Sequence, residues 1–238
     1  MIKAECAEAW GFEHAVRGMR NPMNSWNKSD SHRCYGNDLL DERCETCSYY
    51  EEDCRRDWFC GAEYVLGKKD LELMRKLIKA GNSHRKFLRQ IFVSMDITAP
   101  LYWWKEFDTY KVGVTANSCS TMHTIHKKEF TLDDFSHEHL DIRTIEVLKN
   151  IINVLNDYRV LYENYNEEDF EIKGCLSQKD IWWQIIQLLP SSYNQKRTVT
   201  MSYENVFSII EQRAGHKLDE WVDFVSILKK LPYMKELT

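Results

Sequence analysis

From Ile91 to Thr98 the chain alternates, with Ile91, Val93, Met95 and Ile97 apolar and Ser94, Asp96 and Thr98 polar among the residues between them. A period of two with β-branched residues predicts a strand with one apolar face. Ala99-Pro100 closes it, because proline has no N–H for a ladder, and the run Leu101 to Trp104 then opens a buried helix. A strand with one greasy face must be covered, and what the rest of the chain supplies to cover it is mostly helix.

Lys68 to Ala80 sets Leu71, Met74, Leu77 and Ile78 at helical spacing, with Gly81 as the stop. Asp141 to Tyr165 reads as a long amphipathic helix with Ile145, Leu148, Ile152 and Leu155 on one stripe. Ile181 to Leu189 is a further helix ended by Pro190, and Arg197 to Met201 is a short strand. Tyr203 to Arg213 and Lys217 to Leu231 are two more helices, broken at Gly215. The expected fold class is helix-rich α+β with a small central sheet. No Pro/Gly/Ser-rich linker divides the 238 residues, so a single domain over 1–238 is expected.

Scattered Lys and Arg and a formal net charge of −5 give no footprint for duplex nucleic acid. Met1 to Trp10 has acidic side chains and no apolar core, so it is not a signal peptide. No apolar run is long enough to span a bilayer. A cytoplasmic location is expected, where thiols stay reduced.

Five of the eight cysteines fall between Cys34 and Cys60, within a Cys-rich stretch taken as residues 32–62. Cys44, Cys47, Cys54 and Cys60 read as C-x2-C-x6-C-x5-C. The Cys44/Cys47 spacing lets two thiolates turn toward one ion, and Cys54 and Cys60 complete a tetrahedral set, with His32 and Cys34 as spares. Zinc suits that set better than an iron–sulfur cluster. The alternative is a local insertion with free thiols. His123, His126, His137 and His139 are expected to serve loops and caps, since His137 and His139 would share a metal only from an extended segment.

Three stretches are similar in order and spacing to the flavin-dependent thymidylate synthases, the ThyX family. Ala15-Val16-Arg17-Gly18-Met19 resembles an early A-x-R-x-S, with Met19 in place of Ser. His84 to Lys111 resembles, without a gap, the run from the family's flavin-side His through a strand ending Ala-Pro to its R-H-R signature. Trp104-Lys105-Glu106-Phe107 stands for x-R-Q-[WF], and Thr109-Tyr110-Lys111 for R-H-R. Further on, Asn117 and Ser120 match, whereas Ser118 replaces Glu, Met122 Arg and His123 Tyr. Leu189 to Arg213 is the third stretch, where Thr200-Met201-Ser202 resembles T-[MV]-N and Arg213 falls on a nucleotide-contacting Arg. Leu218-Asp219-Glu220-Trp221 is a poor echo of A-Q-W-E.

The resemblance implies a ThyX-like fold with the Cys-rich stretch as an insertion, FAD as cofactor and a homotetramer with sites between subunits. It implies a cofactor side at His84, Thr109, Tyr110, Lys111, Asn117 and Ser202, and a substrate side at Glu106, Ser120 and Arg213. It also implies lost chemistry. Thr109 and Met122 remove charge-assisted bonds worth roughly 1.5–3 kcal/mol each, which weakens nucleotide binding by about two to four orders of magnitude. Lys111 keeps charge without the planar fork. Methylation of dUMP is therefore not expected. The readings left are altered flavin or nucleotide chemistry, or an inactive scaffold.

Overall fold

The computed structural model describes residues 2–33, 64–167 and 176–238. The chain forms two compact units. The first comprises Met1–Lys3, Thr98–Thr109 and Asn117–Arg197; the second comprises Ala4–Ile97, Tyr110–Ala116 and Thr198–Thr238.

Strands β1 (Lys3–Trp10), β4 (Phe92–Pro100), β5 (Val114–Ser118) and β6 (Asn194–Ser202) form a sheet in the order β1-β4-β6-β5, and most residues of each strand belong to the second unit. Thr198 bonds Asp96 at 2.7 Å and Thr200 bonds Ser94 at 3.0 Å, so β4 and β6 run antiparallel and share one polar face. Val93, Met95, Ile97, Val199 and Met201 point the other way and are buried. The alternation seen in the sequence is this two-faced sheet.

Helix α1 (Phe12–Arg20) follows β1 directly. Gly11 begins it at φ +94°, in the left-handed region, and a Cβ there would strike the Gln90 carbonyl oxygen. A two-stranded ribbon, β2 (His32–Arg33) with β3 (Tyr64–Val65), pairs antiparallel before helix α2 (Lys68–Lys79). Asp70, in the first turn of α2, is fully buried. It accepts from Arg20 Nε at 2.6 Å, from the Ser29 and Ser31 hydroxyls at 2.6 and 2.7 Å, and from the Asp30 and Ser31 amides at 3.2 Å each. Burial alone pushes its carboxyl up, but the Ser29, Ser31 and Arg20 bonds together hold it below the usual carboxylate value.

In the first unit helix α3 (Leu101–Phe107) buries Trp103, Trp104 and Phe107. Trp104 Nε1 donates to the Gln195 carbonyl at 2.9 Å, and the Arg197 guanidinium lies 4.2 Å over its ring. A short helix α4 (Thr121–Thr124) leads to the long α5 (Ile142–Glu163) and then α6 (Gln178–Leu188). Leu148, Ile152 and Leu155 of α5 join Ile185 of α6 and Ile125, Phe130 and Phe135 in one core. Asp141 caps α5 by accepting from the Arg143 and Thr144 amides.

The second unit ends with α7 (Tyr203–Arg213), α8 (Asp219–Leu228) and a terminal turn, α9 (Met234–Leu237). Among the described residues no helix is long and apolar enough to cross a membrane.

Candidate functional site

Helix α7 meets two of the positions predicted for the cofactor side, Ser202 at its start and Tyr110 at its end. Ser202 caps it, accepting from the Asn205 amide at 3.4 Å while Asn205 Oδ1 accepts from the Ser202 amide at 3.2 Å. Asn205 also reaches outward, donating from Nδ2 to the Val112 carbonyl at 2.8 Å. That bond fastens the turn of Tyr110 to Gly113 to the start of the helix. Gly113 sits in this turn at φ +75°.

At the other end of α7, Arg213 is half-buried in a box of rings. Its Nε donates to the Tyr110 hydroxyl at 2.9 Å, and its Nη1 faces His216 Nε2 at 3.0 Å. Its guanidinium carbon lies 4.4 Å over the Trp221 ring and 5.6 Å from the Tyr110 centroid. The Tyr110 hydroxyl in turn donates to Gln212 Oε1 at 3.1 Å, and the ring meets Trp221 at 6.1 Å and 60°. Stacking on a fully buried Trp221 and bonding at the rim hold the guanidinium plane in one orientation. Tyr110 is thus committed to Arg213 through its hydroxyl and to Trp221 through its ring.

His84 is exposed in the turn after α2, its amide donating to the Gly81 carbonyl at 2.9 Å. Its neighbour Arg85 is the buried residue of the pair, and it pairs with Glu204 at 3.0 Å and Glu211 at 3.6 Å, both on α7. Glu204 Oε2 is buried without a hydrogen-bond partner among the described residues. Lys111 is exposed beside Tyr110.

The remaining predicted positions belong to the first unit. Glu106 and Thr109 close α3, the Thr109 hydroxyl donating back to the Glu106 carbonyl at 2.7 Å. Asn117 is exposed on β5. Ser120 is the N-cap of α4 and accepts from the His123 amide at 3.1 Å. It lines a cleft of about 180 Å³ with Cys119, Thr121, Lys128, Tyr193, Asn194 and others. Burial, helped by the charges of Asp134 and Cys119, pushes the Tyr193 phenol up. Met122 is 48% exposed. Arg213 belongs to the second unit and Ser120 to the first.

Cys44, Cys47, Cys54 and Cys60 lie outside the described residues. Among the described residues no group of three or more His, Cys, Asp or Glu is placed to hold a metal. His137 Nδ1 lies 2.8 Å from the Phe135 carbonyl, and His126 packs on Tyr162 at 4.5 Å.

Residue patterns missed Asn205, Arg85, Gln212, His216 and Tyr193. Asn205 alone had a local signal, at the third helical position after a Ser cap.

Two solved structures of ThyX from Helicobacter pylori, each with FAD and dUMP bound, superpose on this chain almost from end to end. One gives a TM-score of 0.58 at 15% identity, covering 99% of this chain and 97% of that one. The other gives 0.60 at 16% identity, covering 100% and 97%. The chain has the ThyX fold. Neither the family models nor the curated proteins match this sequence. Identity this low fits a divergent chain with a ThyX-like fold.

Proposed function

We propose that this ThyX-like protein binds a nucleotide, with FAD beside it, and does not methylate dUMP. One observation carries the reading: Arg213, at a nucleotide-contacting position of the ThyX family, is held in a fixed plane by Tyr110, Trp221 and His216. A guanidinium oriented before ligand arrives loses less freedom on binding phosphate. The α7 surroundings fit a polar ligand, because the orphaned Glu204 Oε2 is an acceptor for a bound N–H or O–H. Lys111 adds an exposed cation next to Tyr110. His84, Lys111 and Ser202 would hold the flavin side with Thr109 and Asn117, and Ser120, Glu106 and Arg213 the nucleotide. The isoalloxazine, when bound, supplies hydride chemistry, and the chain supplies position and charge.

The reading is tested by native mass spectrometry of freshly purified protein, followed by thermal shift with FAD and with dUMP. Co-purified flavin, or stabilisation that Arg213→Ala removes, supports it. A colourless protein that neither ligand stabilises favours the second reading, an inactive scaffold. That second reading has its own support: the Thr109 hydroxyl turns back onto Glu106 instead of replacing the lost arginine. Assembly into a homotetramer in the cytoplasm, and one zinc per chain on Cys44, Cys47, Cys54 and Cys60, complete the proposal. Light scattering and metal analysis test these last two.

A further inference from the structure

Within the first unit, the start of α6 is fastened to the end of α5 and to α4 around an open space. Gln178 donates from Nε2 to the Tyr162 carbonyl at 3.4 Å, tying α6 to α5. Trp182, one turn further on, donates from Nε1 to the Met122 carbonyl at 3.1 Å, tying α6 to α4. The ties frame a cavity of about 560 Å³ lined by Met122, His123, Tyr162, Gln178, Lys179 and Trp182. Small-molecule sites span roughly 300–1,000 Å³, so the space is of that kind. None of these residues is a position assigned above to flavin or nucleotide.

Its walls offer the faces of rings more than polar edges. Trp182 spends its one donor on Met122 and is braced by Trp183, whose ring lies 4.8 Å away at 68°. Tyr162 is braced by His126, at 4.5 Å and 43°. Met122 adds a pliable apolar side chain. Rings held in place before a ligand arrives lose little freedom when a flat aromatic group stacks on them.

Two uncommitted side chains set the ligand's charge. Lys179 is exposed, and its ammonium has no ion pair among the described residues. His123 is exposed, and its ring makes no hydrogen bond among the described residues. The carboxylates nearest to this lining in sequence are engaged elsewhere, Asp180 by the Ser177 hydroxyl and Glu163 by Arg159. An oxyanion entering here therefore meets an ammonium and an imidazole N–H.

We propose that this cavity binds a small planar aromatic acid, with its ring against Trp182 and Tyr162 and its carboxylate on Lys179 and His123. The inference does not depend on flavin or nucleotide binding.

The test is isothermal titration of the full chain with 2-naphthoate and with its uncharged analogue, 2-naphthamide. The wild-type chain binds naphthoate about tenfold more tightly than the amide, the effect of one charge-assisted bond. Lys179→Glu, a change at an exposed side chain, erases that preference, and Trp182→Ala abolishes binding of both probes. A wild-type chain that binds neither probe, or both equally, overturns the proposal. Displacement of naphthoate by dUMP overturns it too, because the cavity would then be part of a nucleotide site. Should Trp182→Ala unfold the chain, Lys179→Glu decides alone: an unchanged affinity for naphthoate removes the site. Failure of the nucleotide reading shows separately, as naphthoate binding in a chain that takes up no dUMP.

Discussion

Arg213 donates its Nε–H to the Tyr110 hydroxyl at 2.9 Å, across 103 residues of chain. The sequence resemblance sets Tyr110 at the centre of the R-H-R signature and Arg213 on a nucleotide-contacting arginine. The two side chains are bonded to each other, so changes at either should read out at the other.

Tyr110→Phe removes the acceptor of a charge-assisted bond and leaves the ring. Arg213 then keeps its Trp221 stack but loses its rim contact, with about 1.5–3 kcal/mol at stake. Isothermal titration with dUMP should show binding weakened roughly tenfold or more by Tyr110→Phe and abolished by Arg213→Ala. Equal affinity in wild type and Tyr110→Phe would show that the bond does not prepare Arg213 for a ligand.

The protein should not convert dUMP to dTMP with NADPH and methylenetetrahydrofolate. The sequence resemblance sets Thr109 and Met122, which supply no cation, at arginine positions of ThyX, and the Thr109 hydroxyl already bonds the Glu106 carbonyl. Tritium release from labelled dUMP, or rescue of a thymidine auxotroph, would contradict this.

Asp70→Asn leaves Arg20 buried without its counter-charge and should cost about 3–5 kcal/mol in urea unfolding. The pH profile follows from the direction of the shift. Asp70 is held below its ordinary value in the folded chain, so its contribution is fully present above the unfolded pKa of about 3.9. It is lost as pH falls from there through the lower folded value. The variant should therefore show a flatter acid limb below about pH 4. An acid limb as steep as that of wild type would place the acid sensitivity elsewhere.

Asn205→Ala removes the side-chain half of the α7 capping box and the bond to Val112, and leaves the Ser202 hydroxyl on the amide of residue 205. Loss of these side-chain bonds should lower stability by about 0.5–1.5 kcal/mol. Amide exchange should quicken in residues 110–113 more than in the middle of α7. Uniform exchange in the two segments would mean that the turn is held by other contacts.

Periodic features were legible without coordinates. The strand expected over Ile91–Thr98 is β4, and the helix expected over Tyr203–Arg213 is α7. β4 runs on through Pro100, since a proline at the end of a strand forfeits only one donor. β6 starts at Asn194, three residues earlier than the apolar pattern suggested, where Gln195 and Arg197 are fixed by Trp104 and Asp108 instead of by a greasy face. β1 was missed because Lys3–Trp10 is mostly Ala, Glu and Cys, whose small or charged side chains give little apolar contrast.

The sequence alone determined the strand and helices whose apolar period is strong, such as β4 and α7, because period and turn chemistry are local properties of neighbouring residues. Only the tertiary structure decided the pairings: Tyr110 with Arg213, Arg85 with Glu204, and Arg20 with an Asp70 fifty positions away. Such partners meet because buried polar groups must be satisfied wherever packing brings them, and separation along the chain carries no record of that meeting.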